Sequence, residues 1–195
     1  MSQLSFFSAE AMPPAVTDLC GLLAATGQVV TSAGRARISI VVDAQWRAQA
    51  IAELIAQAGL EVEITRSDEG SPLVRTASVV DLRPLADQWT RGAVKAVPPA
   101  GCRRGRQLRV WALASGRSEA EGERFVLGLD PHAPDTHAPL AQALMRAGIA
   151  PTLIGTRGGS GPGLRISGRR RLGRLVESIG EAPGNLDDRT GWPHV

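Results

Sequence analysis

Few side chains in this chain are spaced for chemistry, and the largest group of them is cationic. Asp130, His132, Asp135 and His137 combine carboxylate and imidazole donors in one short stretch, the mixture a divalent cation could take. Their spacing matches no tetrahedral ligand pattern, and Asp135 is placed to cap the helix that follows, so no metal site is predicted. The three His are His132, His137 and His194, and none lies in the context of an activated nucleophile. Gly155 to Gly163 holds five glycines but lacks the Lys and Ser or Thr of a P-loop, and it reads as a hairpin tip. Cys20 falls in an apolar helix pattern and Cys102 in an Arg-rich stretch, too few and too unlike for a disulfide framework or a thiolate centre. No cofactor is expected.

What remains is arginine, which supplies 21 of the 22 cations. Residues 1–100 carry 8 basic and 10 acidic side chains, and residues 101–195 carry 14 and 9, so the net charge of +3 lies in the second half. A guanidinium offers a planar fork of donors that fits phosphate bidentately. Arg103, Arg104 and Arg106, with Arg109 beyond them, form one cluster, and Arg169, Arg170, Arg171 and Arg174 open the last helix with no acid nearby. Cations at a helix start oppose the macrodipole, which points to a purpose other than helix stability. The plainer reading of both clusters is solvated surface charge.

The elements that must position these residues follow from periodicity. Thr17 or Asp18 can cap a helix from about Leu19 to Thr26, stopped by Gly27. Gln28 to Val30 and Arg37 to Val42 read as strands, the second alternating Ile38, Ile40 and Val42 with Arg37, Ser39 and Val41. Asp43 caps a helix with Ile51, Leu54, Ile55 and Ala58 on one stripe. Leu60 to Arg66 and Leu73 to Val80 form a second hairpin, and Asp81 opens a third helix. The same order restarts after a Pro- and Gly-marked stretch, with helices at Leu108 to Ser115, Ala138 to Ala147 and Arg170 to Ile179. Between them lie strands at Phe125 to Leu129, Ile149 to Ile154 and Leu164 to Ser167.

The restart is a repeat. Ile51, Leu54, Ile55, Ala58 and Gly59 recur as Leu140, Ala143, Leu144, Ala147 and Gly148 at an offset of 89. Val74, Arg75, Leu82, Leu85 and Trp89 recur as Leu164, Arg165, Leu172, Leu175 and Ile179 at an offset of 90. Self-similarity on this scale means duplicated half-domains. The fold class is α+β, with two pseudo-symmetric αββαββα halves in one chain. The expected divisions are a flexible N-terminal arm (1–15), a first half (16–91), a connector (92–107), a second half (108–180) and an irregular tail (181–195), in which Trp192 could dock on the body. A chain of 195 residues with 43% apolar content buries roughly 70% of its unfolded surface, so it needs no staple. It holds neither a run of 18 apolar residues nor a leader pattern, and a cytoplasmic protein without membrane contact is expected.

A first helix ending in Gly, in a duplicated half of this order, resembles the LAGLIDADG fold, in which two helices pack together beneath a saddle-shaped sheet. Leu19, Gly21, Leu22 and Gly27 fit that nonapeptide at its first, third, fourth and ninth positions, and Leu108, Ala112, Ala114 and Gly116 fit a second, looser copy. Within that superfamily most of residues 17–180 resemble the N-terminal part of the WhiA sporulation regulators, including the Arg91, Gly92, Val97, Pro98, Pro99 stretch between the halves. No third of the chain remains for the helix-turn-helix domain that WhiA carries.

The resemblance has two implications. Homing endonucleases of this fold place an acid at the end of each central helix, where the pair holds divalent metal against the scissile phosphates. The corresponding positions here are Thr26 and Ser115, neutral hydroxyls, so the resemblance implies a DNA-binding or transcription-associated protein that is not an enzyme. Asp18, Asp43, Glu119 and Asp130 are the candidates for relocated acids, with Asp18 and Asp43 already explained as helix caps. Alternation also places Arg35, Arg37, Arg75, Arg124 and Arg165 opposite the apolar core, on what would be the groove side of the saddle, with Arg35 answering Arg124 and Arg75 answering Arg165. Glu61 and Glu63 point the same way and would repel DNA. A second resemblance names a different partner: Gln3, Leu4, Ser5, Phe6 and Phe7 are similar to the pentapeptide by which replication and repair proteins dock on the sliding clamp. Phe6 and Phe7 could equally fold back on the protein's own core.

Overall fold

The computed structural model describes residues 8–155, 161–184 and 191–195. The Gln3 to Phe7 segment and part of the glycine run therefore lie outside the described residues. A 3-10 turn, Val16–Leu19, leads into α1 (Cys20–Ala24), and Gly27 N–H donates to Leu22 C=O at 2.8 Å to turn the chain away. Next come β1 (Gln28–Ser32) and β2 (Arg35–Val41), joined through Ala33 and Gly34, both at positive φ as a two-residue hairpin turn requires. α2 (Gln45–Gln57), β3 (Val62–Arg66), β4 (Pro72–Thr76) and α3 (Arg83–Trp89) complete the first half. A small hairpin, β5 (Thr90–Arg91) with β6 (Val94–Lys95), leads towards α4 (Gly105–Ser115). Then follow β7 (Gly116–Glu119), β8 (Arg124–Gly128), α5 (His137–Arg146), β9 (Thr152–Ile154), β10 (Gly163–Ser167) and α6 (Arg169–Ile179).

Two four-stranded antiparallel sheets form, ordered β1-β2-β4-β3 and β7-β8-β10-β9, so the second half repeats the strand order of the first. Alternation sorts the faces. Ala36, Ile38 and Ile40 of β2 are buried against the helices, while Arg35 and Arg37 are exposed on the face that no helix covers. In α2 the predicted stripe is buried at Ile51 and Ile55 and half-buried at Leu54 and Ala58, each fully buried large side chain contributing about 2 kcal/mol of apolar burial. No helix among the described residues is long and apolar enough to cross a membrane.

The centre of the molecule is the contact of α1 with α4. Leu22, Leu23, Leu108 and Ala112 are buried there, and Gly21 lets the two backbones meet. A Cβ at Gly21 would lie 2.6 Å from Trp111 N and 2.8 Å from Val110 Cβ, and closer still to the Gln107 carbonyl. Trp111 is fully buried and its Nε1–H donates to Gly128 C=O at 2.8 Å, fastening α4 to the end of β8.

Several local readings change. α4 starts at Gly105, three residues before the expected Leu108, because Gln107 Oε1 reaches back to accept from the backbone amides of Arg103 and Arg104, each at 3.1 Å. The N-terminal arm is docked from residue 8: Ser8 and Ala9 are buried, and Ala9 C=O accepts from Arg106. Asp43 is not a helix cap, and Asp18 caps the Val16–Leu19 turn from its third position and not α1 itself. Asp18 accepts from Ala15 N and Arg106, and α2 begins after Ala44, whose side chain caps nothing. Trp192 is buried under the Arg109 guanidinium, 5.0 Å from its ring.

Gly21→Ala should destabilise the fold by about 3 kcal/mol, because the rigid atoms it meets belong to backbone. Gly173→Ala, within α6 where an added Cβ meets nothing within 4 Å, should stabilise it by about 0.5–1 kcal/mol. Urea denaturation of the two variants checks both signs.

Candidate nucleic-acid interface

On the face without helices, the strand ladders place Ser39 opposite Arg75 and Val126 opposite Arg165. Arg75 and Arg165 are thus equivalent, as the sequence predicts, but Arg124 answers Arg37 and not Arg35. The two β2-type strands align at an offset of 87, since the turn after β1 and the one after β7 differ in length. Arg37 and Arg124 are exposed, and Arg35 Nη1 donates to Ser78 C=O at 3.2 Å. Arg75 and Arg165 are half-buried and already paired: Arg75 Nη1 lies 3.5 Å from Glu63, and Arg165 Nε lies 2.9 Å from Glu119. Glu119 also draws Arg117 Nε to 3.8 Å.

The arginine clusters separate by what they touch. Arg106 is 12% exposed and clasps Asp18, the Ala9 carbonyl and Gln57, so it joins the N-terminal turns to α4 and α2 and is no phosphate ligand in this arrangement. Arg109 Nη1 donates to the Ile179 and Glu181 carbonyls and closes the end of α6. Arg103 and Arg104 remain exposed on the connector. Arg169, Arg170, Arg171 and Arg174 are all exposed around the first turns of α6 and line a shared hollow with Ser167 and Gly148. A neighbouring hollow runs from Arg169 and Ser167 to Arg124. The α6 arginines therefore continue the cationic edge of the second sheet.

Thr26 follows the end of α1, and Ser115 is the last residue of α4. Thr26 is exposed, and Ser115 Oγ donates to Gly128 C=O at 3.1 Å. Carboxylates do lie near the helix ends, and they are two of the four that the sequence offered as relocated acids, Asp43 and Asp130. Asp43 and Asp130 each follow the end of an equivalent strand by two residues, at the same offset of 87. Each holds a cation that caps the central helix of the other half. Asp43 pairs with Arg47 Nε at 2.9 Å, and Arg47, 6% exposed, donates to the carbonyls of Ala112, Leu113 and Gly116 at the end of α4. Asp130 pairs with Lys95 Nζ at 2.7 Å, and Lys95 donates to Ala25 C=O at 2.9 Å at the end of α1. Gln28 Nε2 joins Asp130 at 3.2 Å and also bonds Thr26 C=O.

The last carbonyls of a helix have no partner within it and carry the negative end of its dipole, so a cation there satisfies both needs. Burial draws the Lys95 ammonium and the Arg47 guanidinium below their ordinary values, opposed by Asp130 and Asp43 respectively. Burial pushes the Asp130 carboxyl up, but hydrogen bonds from Lys95, the His132 amide and Gln28 outweigh it and hold it below the usual range. His132 and His137 serve the same turn, through His132 N–H to Asp130 Oδ1 and His137 Nε2 against the Asp130 carbonyl. Among the described residues no group of three or more His, Cys, Asp or Glu is placed to hold a metal ion. Cys20 and Cys102 are buried as neighbours, and burial, helped by Cys102, raises the Cys20 thiol well above its ordinary value.

Sequence reasoning passed over Arg47, Lys95 and Arg117. Lys95 is the sole lysine of the chain, and Arg47 stands four residues after Asp43 on a helix start, so both left a signal. Arg117 had only its equivalence to Gln28.

Two duplicated halves with central helices packed at Gly21 and helix-free outer sheet faces define a LAGLIDADG-like fold resembling the N-terminal domain of WhiA. No protein-family model and no curated protein sequence matches the chain. Among solved structures it is similar to the homing endonuclease I-WcaI bound to its DNA recognition sequence, at TM-score 0.62 and 9% identity over 89% of this chain and 84% of that one. The N-terminal LAGLIDADG domain of WhiA superposes at 0.59 with 14% identity, covering 95% and 96%. Full-length WhiA from Thermatoga maritima gives 0.61 and 17%, and this chain spans 58% of its length.

Lys95→Met should cost about 3–5 kcal/mol, since it leaves the Asp130 carboxylate, 3% exposed, without its cation. A depressed folded pKa means that Asp130 adds stability above the ordinary carboxyl range near 4, lost as pH falls through the lower folded value. Urea midpoints across acid pH should fall in the native chain, and fall less in Lys95→Met, where only the His132 amide and Gln28 are left to oppose burial of the carboxyl.

Proposed function

We propose that this protein grips duplex DNA without cutting it, as an accessory in transcription, the role that its resemblance to WhiA implies. The observation that carries this reading is the pair of equivalent acids, Asp43 and Asp130, each already holding an internal cation against the end of a central helix. In the nucleases of this fold the charge there belongs to metal. An ammonium or guanidinium supplies positive charge but has no open coordination position, so it can neither polarise a phosphoryl oxygen nor acidify a bound water. Arg47 and Lys95 are held by backbone carbonyls as well as by acids, which makes them parts of the fold and not exchangeable counterions. Thr26 and Ser115 add no charge.

Binding is supported by the cations that internal acids leave over. Arg37 and Arg124 on the sheets, with Arg169 beside Arg124 and Arg170, Arg171 and Arg174 around the next hollow, make no ion pair among the described residues. All but Arg37 form a basic tract along the second half, where the sequence concentrates its positive charge. I-WcaI, of the same fold, is seen bound to its DNA recognition sequence. Phosphate contacts of this kind are sequence-independent, and their strength falls with salt as counterions return to the DNA.

Fluorescence anisotropy on a duplex at increasing salt should show a steep loss of affinity. Replacing Arg169, Arg170 and Arg171 with Ala should lower the log–log slope by about 2–3 and weaken binding at least about tenfold near 0.1 M salt. A flat salt response would remove the reading. Plasmid incubated with the protein and Mg²⁺ or Mn²⁺ should stay intact, and nicking abolished by Asp130→Asn would show that the acids work on metal after all.

A further inference from the structure

One carboxylate on the outer face of the second sheet serves two guanidinium groups. Arg117 on β7 and Arg165 on β10 flank Val126 of β8 in the ladder, and all three point to the same face. Val126 is nevertheless buried between them. Glu119 Oε2 accepts from Arg165 Nε at 2.9 Å, and Glu119 Oε1 lies 3.8 Å from Arg117 Nε. The Arg117 Nη2 donor is buried and has no partner among the described residues. The cluster thus carries one excess positive charge and is short of acceptors, and an orphaned charged donor is costly to leave so. In the first sheet Arg75, the equivalent of Arg165, is likewise held by Glu63 at 3.5 Å, whereas the equivalent of Arg117 is Gln28, turned to Asp130.

We propose that Arg117, Glu119 and Arg165 form a latch for one phosphodiester of a bound duplex. In the resting protein Glu119 occupies both guanidinium groups. When the duplex docks, a phosphate replaces the carboxylate, satisfies Arg117 Nη2 and frees Glu119 towards solvent. Glu119 is then a specificity-determining residue: it competes with every phosphate for the same donors and holds down binding to arbitrary duplex. This rests on the duplex-binding reading above.

The test is anisotropy on a mixed-sequence duplex with the full chain, comparing native protein, Glu119→Gln and Glu53→Gln. Glu53 is exposed on α2, behind the sheet, and its substitution changes net charge equally. Glu119→Gln should bind about threefold to tenfold tighter near 0.1 M salt, with a log–log slope steeper by about 1, and Arg117→Ala should erase that gain in the double variant. Glu53→Gln should leave affinity within about twofold of native. If the Gln variant does not fold by circular dichroism, Glu119→Thr, which suits a strand, takes its place. Native binding with a steep salt slope and no gain in Glu119→Gln overturns the latch and leaves duplex binding standing. An equal gain in Glu53→Gln also overturns it, since net charge would then explain the effect. No binding by any of the chains removes both.

Discussion

The constraint on which the rest of this structure depends is the unmet charge at the ends of its two central helices. α1 and α4 meet at Gly21 closely enough that their last turns lie together, and each presents carbonyls that no intrahelical amide can reach. Two like dipole ends side by side repel, and something positive must stand at each. The chain meets this need from within. Arg47 of one half closes the helix of the other, Lys95 from the small inter-half hairpin closes its counterpart, and an equivalent aspartate orients each. The same contacts knit the halves together, so the chemistry of the helix ends and the cohesion of the two halves are a single arrangement.

That arrangement explains why uncharged hydroxyls suffice at Thr26 and Ser115. A carboxylate projecting from the helix end itself would add negative charge to a place already negative, bearable only with metal beside it. Set two residues past the end of a strand, Asp43 and Asp130 approach the helix ends from outside and carry a cation inwards. Desolvation weighs against the buried pair, and the several hydrogen bonds to Asp130 and Lys95 offset it, as a buried ion pair requires.

Much of the architecture was legible because repetition doubles every signal: the stripe of Ile51 and Ile55 reappears at Leu140 and Leu144, and Gly27 marks the same corner as Gly116. β7 was not legible. Gly116, Arg117, Ser118 and Glu119 show no apolar alternation, and they form a strand because the edge of β8 offers its backbone bonds and the apolar side chains of Phe125 and Val126. The outer-face arginines could be placed by alternation, but not their partners, since Glu119 reaches Arg165 only across an intervening strand. Arg106 looked like one of a basic cluster, yet its carboxylate, Asp18, stands 88 positions away. Periodicity reports faces. Pairing between distant segments is a property of the folded chain.

The sharpest test concerns the helix ends. Mn²⁺ added to isotopically labelled protein, alone and with duplex DNA, broadens amide resonances near any bound ion. The account predicts that Gly27, Gln28, Gly116 and Arg117 broaden no more than amides at random surface positions. Selective, saturable broadening at those four would mean that metal displaces Lys95 or Arg47, and would contradict it.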